Sequence, residues 1–163
     1  MKLNVILIIA ASMVAATCQD KTSDTSLTSP DGEINVSFSL SQEGIPHYLV
    51  SAYGQAVINS SELGLEAAEA ELAKGFTIKE IHRSSKDEQW EQPWGENKVM
   101  RDNHREMAVE MANGQGVKLT LRFKAFDDGV GYRYEYDATA VTDSLTIIGD
   151  HTYFNFAQDG MSW

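Results

Sequence analysis

The residues best suited by type to acid–base chemistry are two adjacent aspartates, Asp127 and Asp128, followed by Gly129. Paired carboxylates can divide the roles of general acid and general base, so this is the first place to look for hydrolytic chemistry. Neighbouring residues on a strand point to opposite faces, however, and Asp-Asp-Gly is also the composition that a tight turn requires. The pattern therefore favours a turn over a catalytic pair.

The other residue types that carry chemistry are scattered along the chain. His47, His82, His104 and His151 stand singly, and a surface or packing role is the usual one for isolated histidines. The sequence has no nucleophile elbow, phosphate-binding loop or HExxH motif. Its one cysteine, Cys18, excludes an internal disulfide and a zinc site built from cysteines. We predict no catalytic residue and no metal ligand within the chain.

Two tryptophans, Trp90 and Trp94, flank Pro93 in a polar stretch without a clean period, residues 83–94. An indole face can stack on the axial C–H groups of a sugar ring, which would make the pair a glycan platform. The same side chains could equally plug one end of a sandwich against a neighbouring domain. The residue pattern leaves both interpretations open and predicts a long loop here.

The amino terminus has the composition of a bacterial export signal. Residues 1–17 hold Lys2, a short apolar run and several small residues, and the run is too short to span a bilayer as a mature helix. Ala15-Ala16-Thr17-Cys18 resembles a lipobox, which predicts lipidation of Cys18; cleavage after Ala16 is the alternative. Residues 18–29 are rich in Ser, Thr and Asp and are predicted to be a disordered tether. We therefore expect an exported protein of the periplasm or cell surface that meets a membrane only through its lipid.

The 163-residue chain carries a formal net charge of −11. Recognition of nucleic acid needs clustered Lys and Arg against the phosphates, so this balance argues against a nucleic-acid partner. Residues 30–163 are long enough to bury one sizeable core, and we predict that they form a single domain.

Alternation of apolar and polar residues organises the rest of the chain. It is most regular in residues 117–137, where a strand is predicted on each side of the Asp-Asp-Gly turn. Further strands are predicted at residues 33–40, 47–53, 56–58, 76–81, 98–101, 105–111, 144–148 and 152–156. Residues 63–74 have helix propensity, which predicts one or two helical turns. Many short strands with very little helix predict an all-β fold, an antiparallel β-sandwich.

Four blocks of residues resemble the amino-terminal domain of glycoside hydrolase family 97. They are WEQPWGE at residues 90–96, RDNHRE at 101–106, RFKAFDDGVGYRY at 122–134 and YFNF at 153–156. From Ser29 to the end of the sequence, the order and spacing of these blocks resemble those of the family. The first and third blocks together are fairly specific, whereas either alone would be weak.

The resemblance implies more than the residue patterns do. It implies a β-super-sandwich similar to galactose-mutarotase-like domains, placed before a (β/α)8 barrel in exported α-glucosidases and α-galactosidases that act on α-linked oligosaccharides or glycosides. The resemblance implies that the catalytic carboxylates belong to that barrel and that its active site holds a calcium ion, to which a glutamate of the sandwich domain beyond Trp163 contributes. It therefore implies a truncated domain that is inactive alone. A barrel-facing or sugar-facing surface is also implied, which we expect to be an exposed apolar patch. Its candidate residues are Trp90, Trp94, His104, Tyr132 and Tyr134.

Two functions of other classes stay open. A free-standing surface lipoprotein that binds glycans without chemistry would depend on Trp94. A purely structural sandwich would instead bind a protein partner and be indifferent to sugars.

Overall fold

The computed structural model describes residues 24–136 and 144–160. The predicted signal peptide, Cys18 and tether residues 18–23 lie outside this part of the chain. The described residues form strands and no helix, so no helix among them is long and apolar enough to cross a membrane. The strands are β1 Ser26–Thr28, β2 Ile34–Leu40, β3 Pro46–Ala52, β4 Gln55–Glu62, β5 Leu65–Ala67, β6 Glu71–Leu72, β7 Phe76–Glu91, β8 Val99–Asn113, β9 Lys118–Phe126, β10 Gly129–Tyr136 and β11 Ile147–Asp150.

Two four-stranded antiparallel sheets contain most of these strands. The first sheet has the order β1-β2-β3-β4, and the second has the order β10-β9-β8-β7. Strands β11, β5 and β6 form a small third sheet. Within the first two sheets each strand pairs with its neighbour in sequence, so both are meanders joined by short turns. The all-β class and the antiparallel pairing predicted from alternation are confirmed.

The core lies between the facing sides of the first and second sheets. In β9 alternate residues are buried and their neighbours are not, because one face of the strand packs inward while the other meets solvent. The ring of Phe38 in the first sheet lies 6.0 Å from the ring of Phe123 in the second. Buried residues from both sheets share one cluster: Leu27, Ile34, Val36, Phe38, Tyr48, Val50, Leu63, Phe76, Met107, Val109, Met111, Leu119, Leu121, Phe123 and Ala125.

The fold begins before Pro30, where the sequence placed the end of the tether. Residues Ser26–Thr28 form β1, which pairs with β2 in the register Leu27 to Val36. The side chain of Leu27 is only 3% exposed and belongs to the core cluster. The Arg83 guanidinium also donates hydrogen bonds to the carbonyl oxygens of Asp24 and Ser26, at 2.6 Å each. Leu27, the single apolar residue in this polar stretch, is therefore a strand residue. The prediction of a disordered tether was wrong for Ser26–Thr28.

The predicted helical turns in residues 63–74 do not form. The segment instead contains β5 and β6, which pair in the register Leu65 to Leu72. Ala70 and Leu72 are buried against Val117 in a second small cluster. Alanine and glutamate favour helix locally, but a two-residue burial period here matches a strand, and tertiary packing overrides the local propensity.

Residues 83–91 are strand rather than the predicted loop. Strand β7 continues through them to Glu91 and pairs with β8 along its whole length, from Phe76 with Asn113 to Glu91 with Val99. The two strands predicted at 98–101 and 105–111 are accordingly one strand, β8. Every residue of β7 from Ser84 onward is exposed, so this part of the strand has no buried face to produce an alternating pattern.

The carboxy-terminal strands are shorter than predicted. Strand β11 covers only Ile147–Asp150 and pairs with β5. Residues 152–156 were predicted to be a strand, but they form only an isolated bridge between Phe156 and Ile58 of β4. The hairpin predicted in residues 117–137 is confirmed as β9 and β10, which pair in register from Phe126 with Gly129 to Leu119 with Tyr136.

The outer face of the second sheet carries a network of charges centred on Arg122. Its Nε and Nη2 atoms donate to the two carboxylate oxygens of Glu135 at 2.6 and 2.9 Å, and Nη1 donates to Glu106 at 2.5 Å. Arg133 adds a second cation beside Glu135. The pKa of Glu135 is lowered to about 2, mainly because Arg122 donates hydrogen bonds to its carboxylate. The network ties β8, β9 and β10 together on the side away from the core.

Leu27→Ala tests whether the fold begins at β1. We expect the substitution to lower the free energy of unfolding by about 2–5 kcal/mol, because it empties a buried site in the core. Urea unfolding followed by circular dichroism measures this loss. Leu49→Ala is the matched control, because Leu49 lies in the same sheet but is 40% exposed, and it should change stability by less than about 1 kcal/mol. Equal effects of the two substitutions would contradict an amino-terminal strand in the core.

The Glu135 carboxylate should make stability depend on pH. Its pKa is lower in the folded than in the unfolded chain, so its contribution is fully present above the unfolded value of 4.5 and is lost as the pH falls towards about 2. Urea midpoints at several pH values below 5 should therefore fall more steeply for the wild type than for Glu135→Gln. Glu43→Gln, on an exposed turn, should keep the wild-type slope. Parallel slopes for wild type and Glu135→Gln would contradict this assignment.

Candidate functional site

Trp90 and Trp94 lie on a hairpin arm, residues 86–104, that extends past the end of β9. Strand β9 pairs with β8 only from Arg105 to Ala112, so the remainder of β8 and its partner residues in β7 form a two-stranded ribbon. Trp90 stands opposite Met100 near the end of this ribbon and is half exposed. Trp94 lies in the connecting turn and is 83% exposed.

Ion pairs hold the hairpin arm together. Arg101 contacts both carboxylate oxygens of Asp87 through Nε and Nη2 at 2.8 Å each, and Lys98 lies 3.4 Å from Glu91. At the turn the backbone nitrogen of Gln92 donates to the Lys98 carbonyl oxygen at 3.0 Å. A two-stranded ribbon is marginally stable by itself in water, so these contacts help to explain why it forms. They place Trp94 at the tip without burying it.

His104 is buried and does not belong to an exposed patch, which corrects the sequence-based expectation. It is 3% exposed, its ring centre lies 5.1 Å from that of Phe126, and its Nδ1 atom lies 2.5 Å from an oxygen of Asp102. The pKa of Asp102 is lowered, mainly because of this hydrogen bond with His104. His104 therefore packs on the outer face of the second sheet with its Nδ1 atom satisfied.

Tyr132 and Tyr134 lie on the other face, the inner side of the second sheet. They are opposite Phe123 and Leu121 in the register of β10 with β9, and both are partly buried. The Tyr132 ring is 5.5 Å from that of Tyr48 in the first sheet. Burial raises the pKa of Tyr134 to about 12, and its hydroxyl lies 2.8 Å from the Thr152 hydroxyl. The five predicted residues are thus divided among the arm, the outer face and the inner face, and they do not form one site.

The chain after β11 runs along the open edge of the first sheet and covers it. Tyr153 N donates to the Glu62 carbonyl oxygen at 3.0 Å, and Asn59 N donates to the Asn155 carbonyl oxygen at 2.8 Å. The buried hydroxyl of Ser61 accepts a hydrogen bond from Asn155 N at 2.9 Å. The Tyr48 hydroxyl donates to the Tyr153 carbonyl oxygen at 3.1 Å. These contacts fix the position of the aromatic side chains in this segment.

An exposed aromatic edge results, formed by Tyr153, Phe154 and Phe156. The rings of Phe154 and Phe156 are stacked, with centres 6.4 Å apart and planes within 17°, and these residues are 51% and 66% exposed. Phe154 also lies 6.4 Å from Tyr132, which joins the edge to the core. A groove of about 520 Å³ begins beside Phe156 and continues along Tyr53 and Val57. Residues 152–156 were predicted only to be a strand, so sequence reasoning missed this surface.

The Asp-Asp-Gly segment is a turn, as predicted. It connects β9 to β10, and both aspartates are exposed. The Asp127 carboxylate accepts a hydrogen bond from Asp31 N at 2.9 Å, which fastens the hairpin turn to the turn before β2. Glycosidic cleavage requires two carboxylates across the scissile bond. Asp127 has a structural contact instead, and adjacent positions on a turn do not supply that geometry.

One group of three side chains in the described residues has the spacing of metal ligands, namely Glu80, His82 and Glu110. Calcium prefers about six to eight oxygen ligands, and this group offers a nitrogen and two carboxylates. The calcium ion implied by the resemblance therefore does not fit these residues, and no chemical step is derived from it.

The comparisons with known proteins agree with this architecture. A family model described as "Glycosyl-hydrolase 97 N-terminal" matches residues 27–163. Two structures of a glycoside hydrolase family 97 enzyme from Pseudoalteromonas sp. strain K8, in complex with panose and with acarbose, are 38% identical in sequence, with a TM-score of 0.76, over 81% of this chain and 20% of theirs. A beta-arabinopyranosidase structure has a similar fold at 23% identity, with a TM-score of 0.74, over 82% of this chain and 21% of its own. The chain thus spans about a fifth of the length of these relatives. It belongs to glycoside hydrolase family 97 and corresponds to the family's amino-terminal domain.

Proposed function

We propose that this chain is the amino-terminal sandwich domain of an exported α-glycosidase, an α-glucosidase or α-galactosidase that hydrolyses terminal α-linked sugars. The observation that carries the proposal is the family match over residues 27–163 with 38% identity to the Pseudoalteromonas enzyme. That enzyme binds panose and acarbose, which supports an oligosaccharide or glycoside as the ligand. Calcium is proposed for the whole enzyme, with ligands outside the described residues.

The role proposed for the domain is to support the catalytic barrel and to wall one side of its pocket. The aromatic edge favours this role, because Phe154 and Phe156 present apolar ring faces to solvent while the segment that carries them is fixed by backbone hydrogen bonds. Exposed apolar surface of this kind marks an interaction site. The adjacent aspartates Asp127 and Asp128 form a turn, and we propose that the catalytic carboxylates lie in the barrel and that the 163-residue chain is inactive alone.

The purified chain should therefore release no p-nitrophenol from p-nitrophenyl α-glucoside or α-galactoside. Reading the DNA beyond the codon for Trp163 should reveal a frame that continues into a barrel, and the protein expressed from that longer frame should cleave one of the two substrates. Turnover by the 163-residue chain would contradict the assignment of all chemistry to the barrel. A non-coding region with its own terminator after Trp163 would contradict the enzyme-domain proposal.

A free-standing glycan-binding lipoprotein is the second candidate, and the exposure of Trp94 at the tip of the hairpin arm favours it. Calorimetric titration of the chain with panose separates the two. The enzyme-domain proposal expects no heat of binding at millimolar sugar. The binding-module proposal expects binding that Trp94→Ala abolishes and that Tyr53→Ala, a change at an exposed aromatic outside the arm, leaves intact.

Export and lipidation at Cys18 are also proposed, on the composition of residues 1–18. Expression in a bacterial host with an alkyne-tagged fatty acid should label the wild-type chain in the membrane fraction. Cys18→Ser should be unlabelled and recovered in the soluble fraction, because the thiol is the site of attachment. A mature protein that begins at Thr17 and carries no lipid would show that ordinary signal cleavage occurs instead.

A further inference from the structure

We propose that Glu80, His82 and Glu110 bind a divalent transition-metal ion, best suited to Zn²⁺, on the outer face of the second sheet. Glu80 and Glu110 are directly opposite each other on β7 and β8, and His82 is two residues from Glu80 on the same face. The His82 Nε2 atom lies 3.1 Å from a Glu110 oxygen and 3.7 Å from a Glu80 oxygen. The three ligand atoms all lie within 4.8 Å of one another.

A β-bulge at Lys79 creates this arrangement. Ile78 pairs with Met111, and the next pair along the ladder is Glu80 with Glu110, so Lys79 is the extra residue. Without the bulge, continuation of the register would place Lys79 opposite Glu110 as an ordinary pair of opposite charges. The bulge instead places a second carboxylate there and directs His82 to the same face.

The charge pattern of the sheet provides independent support. The other acidic residues in strands β7 to β10 each have a Lys or Arg nitrogen within 4.0 Å. These residues are Asp87, Glu88, Glu91, Asp102, Glu106 and Glu135. Glu80 and Glu110 have no such partner among the described residues, and their ion-pair contacts are with His82 alone.

Two carboxylates directly opposite on neighbouring strands repel each other. The ammonium group of a nearby lysine is the simplest alternative to a metal as the neutralising charge, since Lys79 and Lys118 line the cavity beside Glu110. A divalent cation would neutralise both carboxylates and use the imidazole as a third ligand.

The donor set and spacing select the class of metal. Zinc in tetrahedral sites has ligands at about 2.0–2.2 Å, which places neighbouring ligand atoms about 3.3 Å apart. The two nitrogen-to-oxygen distances lie on either side of that value. One imidazole and two carboxylates with water in the fourth position suit zinc, whereas magnesium and calcium prefer oxygen alone. The three side chains are between about half and two thirds exposed, so an ion can enter without opening the fold.

The test is titration of the metal-free chain with ZnCl₂ in competition with a chromogenic chelator. Cys18→Ser serves as the parent protein, so that a thiol cannot provide the ligand. We expect one equivalent of zinc per chain, and a melting temperature that rises with zinc because the ion binds only the folded state. Co²⁺ in place of zinc should give the visible absorption of a four-coordinate site, a readout that a change in stability alone would not produce.

Variants separate the proposed site from incidental binding. Glu110→Gln and His82→Ala should each weaken zinc affinity at least tenfold and abolish the zinc-dependent rise in melting temperature. His47→Ala is the matched control, because His47 has a single carboxylate neighbour, Glu62 at 3.7 Å, and zinc binding should be unchanged. Absence of a one-equivalent zinc complex, or retention of it in both site variants, would overturn the proposal.

Discussion

The structure depends on two sheet faces packing against each other. Phe38 from the first sheet and Phe123 from the second meet at the centre of the core, and Tyr132 joins them through its contact with Phe123. Because side chains alternate along a strand, moving β9 by one residue would place Arg122 and Lys124 inside and Phe123 outside. Burial of this face therefore fixes the register of β8, β9 and β10 together. The hairpin arm and the aromatic edge project from that fixed frame.

The two sides of the second sheet have different kinds of stabilisation. Inward-facing residues are apolar and contribute through burial, whereas outward-facing residues form cross-strand charge pairs such as Arg122 with Glu106 and Glu135. These pairs are partly shielded from solvent, which makes them stronger than exposed surface pairs. The pairing of nearly every carboxylate on these strands is also what makes Glu80 and Glu110 stand out.

The sequence predicted the parts of the fold in which one face is buried. Alternation located β2, β3, β9 and β10 and the turn at Asp127, because periodic burial leaves a periodic sequence. The same reasoning failed for β7 beyond Arg83, where both faces meet solvent and cross-strand ion pairs between distant residues hold the ribbon. It also failed for Leu27, whose burial depends on a sheet that is not visible in the local sequence.

The candidate site was predictable only in part. The exposure of Trp94 and the turn role of the aspartates follow from local residue types. The burial of His104 beneath Phe126 does not, because it requires knowing which residues of β8 and β9 share the outer face. The grouping of Glu80, His82 and Glu110 depends on a one-residue bulge, and no feature of the local pattern reveals such an insertion.

The edges of the sandwich are protected in two different ways. The edge of β4 is occupied by the segment that follows β11, whereas β7 is the outermost strand of its sheet and leaves a long row of backbone groups without a strand partner in the described residues. Unpaired edges invite pairing with other chains. Lys79, Arg83, Lys86 and Asp87 place charges of both signs along β7, and the bulge interrupts its regular spacing. The charges that obscured this strand in the sequence are therefore also a means of keeping copies of the protein from joining edge to edge.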